Sequence, residues 1–252
     1  MKIGIIGGSG LTCFDELKVQ EKLSCSTLWG VPSSPLVLGS VEGAEVVFIA
    51  RHGEAHQIPP HRVNYRANIA ALCDQQVSAI FAINVVGGIN MEMCPGDLVI
   101  PDQIIDYTWG REHTYSDGFS GELQHVDFTD PYDQNLRNYL LRQSIALGLP
   151  VHAGGVYGAT QGPRLETAAE ITKMDRDGCD IVGMTGMPET ALARERAVPY
   201  ASLALVVNMA AGLCDEEITM EKIRGIMDTR MVDVRQLLIG VAKEYASAAS
   251  LK

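Results

Sequence analysis

Seven stretches of the chain are almost continuously apolar and rich in β-branched residues. Runs of this kind are typical of β-strands that are covered on both faces. The stretches are residues 2–7, 44–50, 78–86, 97–105, 151–160, 180–185 and 200–208. The pattern therefore predicts a central sheet buried between two outer layers.

Helical patterns lie between these predicted strands. Two cover residues 63–76 and 134–148, and a third, 166–174, carries a capping box in which Thr167 precedes Glu170 by three residues. From Thr219 onward an apolar stripe recurs at helical spacing and is interpreted as core packing; it comprises Ile223, Met227, Met231, Val234, Leu238 and Val241. Strands that alternate with helices predict an α/β protein with a mixed, mostly parallel central sheet flanked by helices, and with ligands at the carboxyl ends of its strands.

Length and composition limit the class of protein. The 252 residues suffice for one α/β domain spanning residues 1–252, and no linker-like stretch interrupts them. The apolar runs are too short or too interrupted to cross a bilayer, and the first strand follows Lys2 without a signal-peptide pattern, so we expect a cytoplasmic protein. The formal charge of −11 disfavours nucleic acid as a partner, and six scattered cysteines without a C-x-x-C pair suit reduced thiols.

A glycine-rich turn, Gly7-Gly8-Ser9-Gly10, directly follows the first predicted strand. Such a turn lets backbone N–H groups approach an anion. The turn lacks the third glycine of a dinucleotide fingerprint, the Lys-Ser/Thr pair of a P-loop and the G-x-S-x-G spacing of a nucleophile elbow. Free phosphate remains as a ligand, beside the alternative of a turn without a ligand.

Four predicted strands end in polar or glycine-rich tips, at residues 7–10, 50–56, 84–88 and 183–189. Together these tips offer a cation, an imidazole, hydroxyls and backbone N–H groups, which is the composition of an oxyanion site. Taken alone, Arg51-His52 favours a surface salt-bridge pair, but the joint pattern of the four tips disfavours that interpretation. A metal site at His52, His56 and His61 is disfavoured, because no H-E-x-x-H spacing occurs and Pro59-Pro60 would break a helix between the last two.

Five ordered motifs between Lys2 and about residue 240 resemble the purine nucleoside phosphorylase and methylthioadenosine phosphorylase family. They are GIIGGSGL, RHGEAHQIPPHRVNYRANI, PGDLVIPDQIID, GPRLETAAE and DIVGMTGMPE. The resemblance implies a homotrimeric enzyme that splits a purine ribonucleoside with inorganic phosphate as co-substrate and without metal or organic cofactor. It also implies that phosphate binds at Ser9, Arg51, His52, the backbone of Val85 and Thr185, and that Met184 packs against the ribose.

Asn208 and Glu166 indicate which purine base the implied site would bind. Adenine-specific members of the family resemble one another in having acidic residues where this chain has Asn208 and Ala210, and a serine where it has Glu166. A 6-oxopurine presents an acceptor at O6 and a donor at N1–H, which an amide and a carboxylate would satisfy. We therefore predict that Glu166 accepts N1–H and that Asn208 donates to O6 or holds a proton at N7 as the base leaves. The alternatives are an Asn208 that bonds backbone at the strand end and a Glu166 that only stabilises a helix N-terminus.

The sugar end differs from that of ordinary purine nucleoside phosphorylases, which resemble one another in a histidine near the 5′-hydroxyl. Here the corresponding stretch offers Met220 and Ile223, and an apolar wall favours a methylthio group over a hydroxyl. His125 matches a histidine that family members lend to the neighbouring subunit's site. The predicted catalytic residues are thus Asn208, Glu166 and His52, and the predicted substrate is a 5′-methylthio 6-oxopurine nucleoside. Cleavage of 5′-methylthioadenosine or of general 6-oxopurine nucleosides is the alternative.

Proteins of other classes remain as alternatives with distinct signatures. A hydrolytic nucleosidase would not depend on phosphate, a nicotinamide oxidoreductase would retain its cofactor, and a nucleoside-binding protein would bind without turnover. The segment 109–124 is rich in Gly, Ser and Asp, which favours a mobile loop over the site, while Tyr115 or Phe119 could equally be packed.

Overall fold

A computed structural model describes residues 1–116, 118, 123 and 125–249. The strands are β1 (Lys2–Gly7), β2 (Lys18–Leu23), β3 (Leu36–Val41), β4 (Ala44–Ala50), β5 (Val77–Gly88), β6 (Leu98–Val99), β7 (Gln103–Asp106), β8 (Val151–His152), β9 (Val156–Ala159), β10 (Ile181–Gly183) and β11 (Tyr200–Met209). The helices are α1 (Tyr65–Asp74), α2 (Gln134–Ala146), α3 (Ala168–Arg176), α4 (Glu189–Glu195) and α5 (Met220–Ala249), with a 3-10 turn at Pro60–Arg62. Phe119 lies outside the described residues.

These strands form one mixed sheet whose centre is parallel. Its order is β2-β3-β4-β1-β5-β10-β9-β7, and β11 pairs with both β5 and β6 while β8 pairs with β6. The central pairs β4/β1, β1/β5 and β5/β11 are all parallel, and the antiparallel pairs include the outer β2/β3 and β3/β4. The predicted α/β class with a mostly parallel sheet is therefore confirmed.

Helices cover both faces of this sheet and bury its apolar strands. On one face α5 packs with its apolar stripe inward; Ile223, Met231, Val234, Leu238 and Val241 are buried and Met227 is partly buried in the same cluster. On the other face α1 and α4 contribute Ile69, Leu72 and Leu192 to a second cluster. Since the strands are covered on both sides, their near-continuous apolar sequences need no exposed polar positions.

Two predicted strands are each divided in the structure. The stretch 97–105 forms β6 and β7 with Pro101 and Asp102 between them, because proline has no N–H to donate to a ladder. The stretch 151–160 forms β8 and β9, separated at Gly155, which adopts a φ of 142°. The two interruptions contact each other, because the side chain of Asp102 accepts a hydrogen bond from the N–H of Gly155 over 2.9 Å.

Three elements have no counterpart in the predicted set: β2, β3 and α4. Strand β2 is an exposed edge with the polar sequence KVQEKL, so it lacks the apolar run of a buried strand. Helix α4 has seven residues, follows Pro188 and has no side-chain cap, so the usual start signal is missing. In the described part of the chain, no helix is both long and apolar enough to cross a membrane.

Candidate active site

A cavity of about 390 Å³ opens at the carboxyl ends of the central strands. Parallel strands direct their carboxyl ends to the same edge of a sheet, so loops that are far apart in sequence meet there. Ten of the predicted site residues line this cavity: Ser9, Arg51, His52, Val85, Glu166, Met184, Thr185, Asn208, Met220 and Ile223. The eleventh, His125, is exposed and does not line the cavity of its own chain.

The glycine turn after β1 lies against the neighbouring strand ends. A Cβ atom at Gly7 would lie 2.1 Å from the carbonyl oxygen of Leu11, and one at Gly8 would lie 2.5 Å from that of Ile83 and 2.8 Å from Nη1 of Arg51. Neither position has room for a side chain. The turn therefore consists of glycine so that β1 can approach β5 closely while Arg51 passes beside it.

Arg51 is completely buried and forms a two-pronged ion pair with Glu189 at the start of α4. Its Nε and Nη2 each donate to a carboxylate oxygen over 2.7 Å, and Nη1 donates to the carbonyl of Ile83 over 2.8 Å. The hydroxyl of Tyr200 also donates to Glu189, over 2.8 Å. Burial lowers the pKa of Arg51, but the charge and hydrogen bonds of Glu189 outweigh this and raise the pKa above its ordinary value.

Two N–H groups of the guanidinium remain beyond these three bonds, because arginine carries five. Glu189 neutralises the positive charge, so Arg51 offers directed donors rather than a free cation. Glu189 was not among the predicted site residues, although it ends the motif DIVGMTGMPE.

His52 is held in a single neutral tautomer by its contacts. Its Nδ1–H donates to the carbonyl of Ile58 over 2.8 Å, which leaves Nε2 as the second polar atom of the ring. Burial, together with the positive charge of Arg51, lowers the pKa of His52 to about 4. The imidazole of the free protein is therefore neutral at pH 7.

His56 lies beside His52, with the ring centroids 4.8 Å apart, and lines the same cavity. Its Nε2 is 3.4 Å from Oγ of Ser9, and burial lowers its pKa. Its φ of 53° is unusual for a residue other than glycine, and such backbone conformations concentrate at functional sites. The sequence pattern had suggested His56 only as a candidate metal ligand.

Buried side chains orient the hydroxyl of Thr185. Ser202 donates to Oδ1 of Asn84 over 2.6 Å, and Nδ2 of Asn84 donates to Oγ1 of Thr185 over 2.7 Å. Thr185 Oγ1 already accepts this bond, so its hydroxyl keeps one proton to donate. The Tyr157 hydroxyl is one acceptor in reach, and an anion in the cavity that Thr185 lines would be another.

Both residues of the predicted base end, Glu166 and Asn208, line the cavity. The carboxylate of Glu166 accepts a hydrogen bond of 2.6 Å from the hydroxyl of Thr160. Nδ2 of Asn208 donates to the carbonyl of Met209 over 2.8 Å, which is the backbone contact that the sequence left open as an alternative. Asn208 keeps its second N–H and its Oδ1 for a ligand.

At the sugar end, Met184 packs against Gly162, whose φ is 61° and where a Cβ atom would lie 2.4 Å from the Met184 sulfur. Ile223 is 8% exposed and Met220 58% exposed, so the wall is apolar but open to solvent on one side.

In the segment 109–124, Tyr115 is packed, because its hydroxyl donates to the carbonyl of Arg66 over 2.8 Å and its ring lies 5.1 Å from that of Trp29.

Among the described residues, no group of three His, Cys, Asp or Glu side chains is placed to hold an ion. The predicted phosphate end of the cavity holds Arg51, which is paired with Glu189, beside His52 and Thr185. The predicted base end holds a carboxylate and an amide.

Known proteins match this chain over almost its whole length. The family profile described as "Phosphorylase superfamily" matches residues 2–243, so the chain belongs to that superfamily. A probable S-methyl-5′-thioinosine phosphorylase from Xylella fastidiosa is 50% identical over 246 residues, which cover 96% of this chain and 98% of that protein. A 6-oxopurine nucleoside phosphorylase from Pyrococcus furiosus is 43% identical over 243 residues, which cover 94% and 91%.

Solved structures show the same fold. The methylthioadenosine phosphorylase of Schistosoma mansoni in complex with adenine superposes with a TM-score of 0.94 at 31% identity, over 98% of this chain and 92% of that one.

Proposed function

We propose that this chain is a purine nucleoside phosphorylase that converts S-methyl-5′-thioinosine and phosphate to hypoxanthine and 5-methylthioribose 1-phosphate. The observation that carries this proposal is the pairing of Glu166 with Asn208 at the base end of the cavity. The carboxylate matches the N1–H donor of a 6-oxopurine, and the amide matches its O6 or N7. The names of relatives from Xylella fastidiosa and Pyrococcus furiosus support the same base class.

The reaction breaks the bond between C1′ and N9 while a phosphate oxygen forms a bond to C1′. The electron pair of the broken bond goes to the purine, and positive charge builds on the sugar in the transition state. Phosphate below C1′ stabilises that charge, and a proton taken up from solvent at N7 neutralises the leaving base. Asn208 is suited to hold that proton through Oδ1, because Nδ2 is turned towards Met209.

Phosphate binding is assigned to Ser9, Arg51, His52, the N–H of Val85 and Thr185. In the free protein Arg51 is paired with Glu189 and His52 is neutral, so this end carries little net charge. Its strength as an anion site comes from the N–H and O–H donors of Ser9, Arg51, Val85 and Thr185, as in backbone anion nests. The unprotonated Nε2 of His52 can accept a hydrogen bond from a protonated phosphate oxygen. Inorganic phosphate is the co-substrate, and the proposed reaction uses no metal or organic cofactor.

The methylthio group is assigned to the wall formed by Met220 and Ile223, and the ribose to Met184. We place a neighbouring subunit's His125 beside the 5′ group, which requires a homotrimer. This residue is exposed in its own chain and is therefore available to a neighbour. We place the reaction in the cytoplasm.

A second candidate is phosphorolysis of 5′-methylthioadenosine with release of adenine. The similarity to the Schistosoma mansoni enzyme supports it. It would require the acceptor N1 of adenine to face the carboxylate of Glu166, which lacks a proton to donate when ionised. The 6-oxopurine reaction is therefore the better match to the site.

Omission of phosphate tests the reaction class. We expect hypoxanthine to be released from 5′-methylthioinosine only when phosphate is present, and inosine to be cleaved about 10-fold less efficiently, because the apolar wall leaves a 5′-hydroxyl unpaired. The measurement is base release with and without phosphate, for both nucleosides. Equal release without phosphate would indicate a hydrolase, and a preference for inosine would remove the role of Met220 and Ile223.

A further inference from the structure

Thr160 contacts Glu166 but does not line the substrate cavity. It follows β9, and its backbone N–H donates to the carbonyl of Gly183 over 2.7 Å, which continues the ladder between β9 and β10. Its side chain lines a neighbouring cavity that shares Glu166 with the substrate cavity. Thr160 therefore contacts Glu166 from the neighbouring cavity.

The hydroxyl of Thr160 has two acceptors in reach. Oε1 of Glu166 lies at 2.6 Å and the carbonyl of Gly183 at 3.3 Å. A hydroxyl has one proton, and a charged carboxylate at the shorter distance is the stronger acceptor. The proton therefore points to Glu166.

The neighbouring cation, Arg164, interacts electrostatically with Glu166 but directs its side-chain hydrogen bonds to other residues. The guanidinium of Arg164 is engaged with Glu170 through bonds of 2.8 and 2.7 Å. In the part of the chain that the structure describes, Thr160 supplies the hydrogen bond found on the Glu166 carboxylate.

A buried arginine holds the backbone on which Thr160 sits. Nη2 of Arg111 donates to the carbonyls of Thr160 and Gln161 over 3.0 and 2.8 Å, and Nη1 donates to that of Met184 over 2.9 Å. Arg111 is 8% exposed, so these bonds are shielded from water. The hydroxyl is consequently fixed relative to both the base end and the ribose end of the site.

We propose that Thr160 is a positioning residue that keeps Glu166 an acceptor and thereby selects 6-oxopurine nucleosides over adenine nucleosides. The Thr160 bond occupies one lone pair of the carboxylate and leaves others to accept N1–H. To bind adenine, the Glu166 side chain would have to be protonated and donate to N1. It would then be a weaker acceptor for the Thr160 hydroxyl than a carboxylate is. This inference rests on the proposed function, because it needs Glu166 to read the base.

The test compares Thr160→Val and Thr160→Ser with the unchanged chain. The measured quantity is the ratio of kcat/KM for 5′-methylthioinosine to that for 5′-methylthioadenosine. We expect Thr160→Val to lower this ratio about 10-fold, mainly through a higher KM for 5′-methylthioinosine, and Thr160→Ser to restore it. Thr172→Val is the matched control, since this exposed threonine donates only within α3, to the carbonyl of Ala168, and should leave the ratio unchanged.

A Glu166→Gln background separates positioning from a general loss of structure. If Thr160 acts through the carboxylate, Thr160→Val should not change the ratio further in that background. An unchanged ratio in Thr160→Val alone, or an equal fall for both nucleosides, would overturn the inference. A lack of 6-oxopurine preference in the unchanged chain would instead overturn the proposed function, so the two failures are distinguishable.

Discussion

Replacement of Asn208 by aspartate is expected to lower kcat/KM for 5′-methylthioinosine by about 10- to 100-fold. In the structure Nδ2 of Asn208 donates to the carbonyl of Met209 over 2.8 Å. A carboxylate has no proton to donate there and would place two acceptors against each other. The side chain must then turn or take up a proton, and in either case the donor for O6 and the acceptor for the N7 proton are no longer both in place.

The same change should affect 5′-methylthioadenosine much less, because aspartate can accept a hydrogen bond from the exocyclic amino group of adenine. Steady-state kinetics with both nucleosides measures the ratio. Asn135→Asp is the control, because Asn135 is exposed on α2 and does not line the cavity. An Asn208→Asp variant that keeps the original ratio would show that Asn208 only bonds backbone.

The second large effect is expected from Glu189→Gln, which removes the charge that neutralises Arg51. Both side chains are 0% exposed, and loss of one partner leaves a buried, uncompensated guanidinium. Such a change lowers the free energy of unfolding by about 3–5 kcal/mol, which corresponds to a fall in Tm of about 10 °C in a chain of this size. Thermal unfolding followed by circular dichroism measures it.

Glu54→Gln is the matched control for this prediction. Glu54 pairs with Lys22 over 3.3 Å, but the two side chains are 58% and 62% exposed. Exposed pairs contribute roughly 0–1 kcal/mol, so the Tm should hardly move. A Glu189→Gln variant as stable as the Glu54→Gln variant would show that Arg51 is not held in place by its charge partner.

Much of the fold was predictable because buried elements have recognisable patterns of apolar residues in the sequence. The near-continuous apolar runs of β1, β4 and β11 are typical of strands covered on both faces, and the apolar stripe of α5 follows helical spacing. The capping box at Thr167 and Glu170 is likewise present as predicted. Strand β2 was missed because an exposed edge strand has no apolar face to detect.

The candidate site was predictable only in part, since several of its contacts join distant residues. Arg51 and His52 were found by their residue types, but Glu189 stands 138 positions from Arg51 and reaches it only in the folded chain. Asn84 lies 101 positions from Thr185, and within its apolar strand it gave no signal of a link to that hydroxyl. Thr160 is only six positions from Glu166, yet a threonine after a strand has no distinctive pattern.

The most direct measurement of the central claim is the substrate preference of the unchanged protein. With saturating phosphate, kcat/KM is determined for 5′-methylthioinosine and for 5′-methylthioadenosine under identical conditions. A site with Glu166 as acceptor and Asn208 as amide predicts a preference of about 100-fold or more for 5′-methylthioinosine, because adenine leaves both groups mispaired. Equal efficiency, or a preference for 5′-methylthioadenosine, would contradict the assignment of these two residues to a 6-oxopurine base.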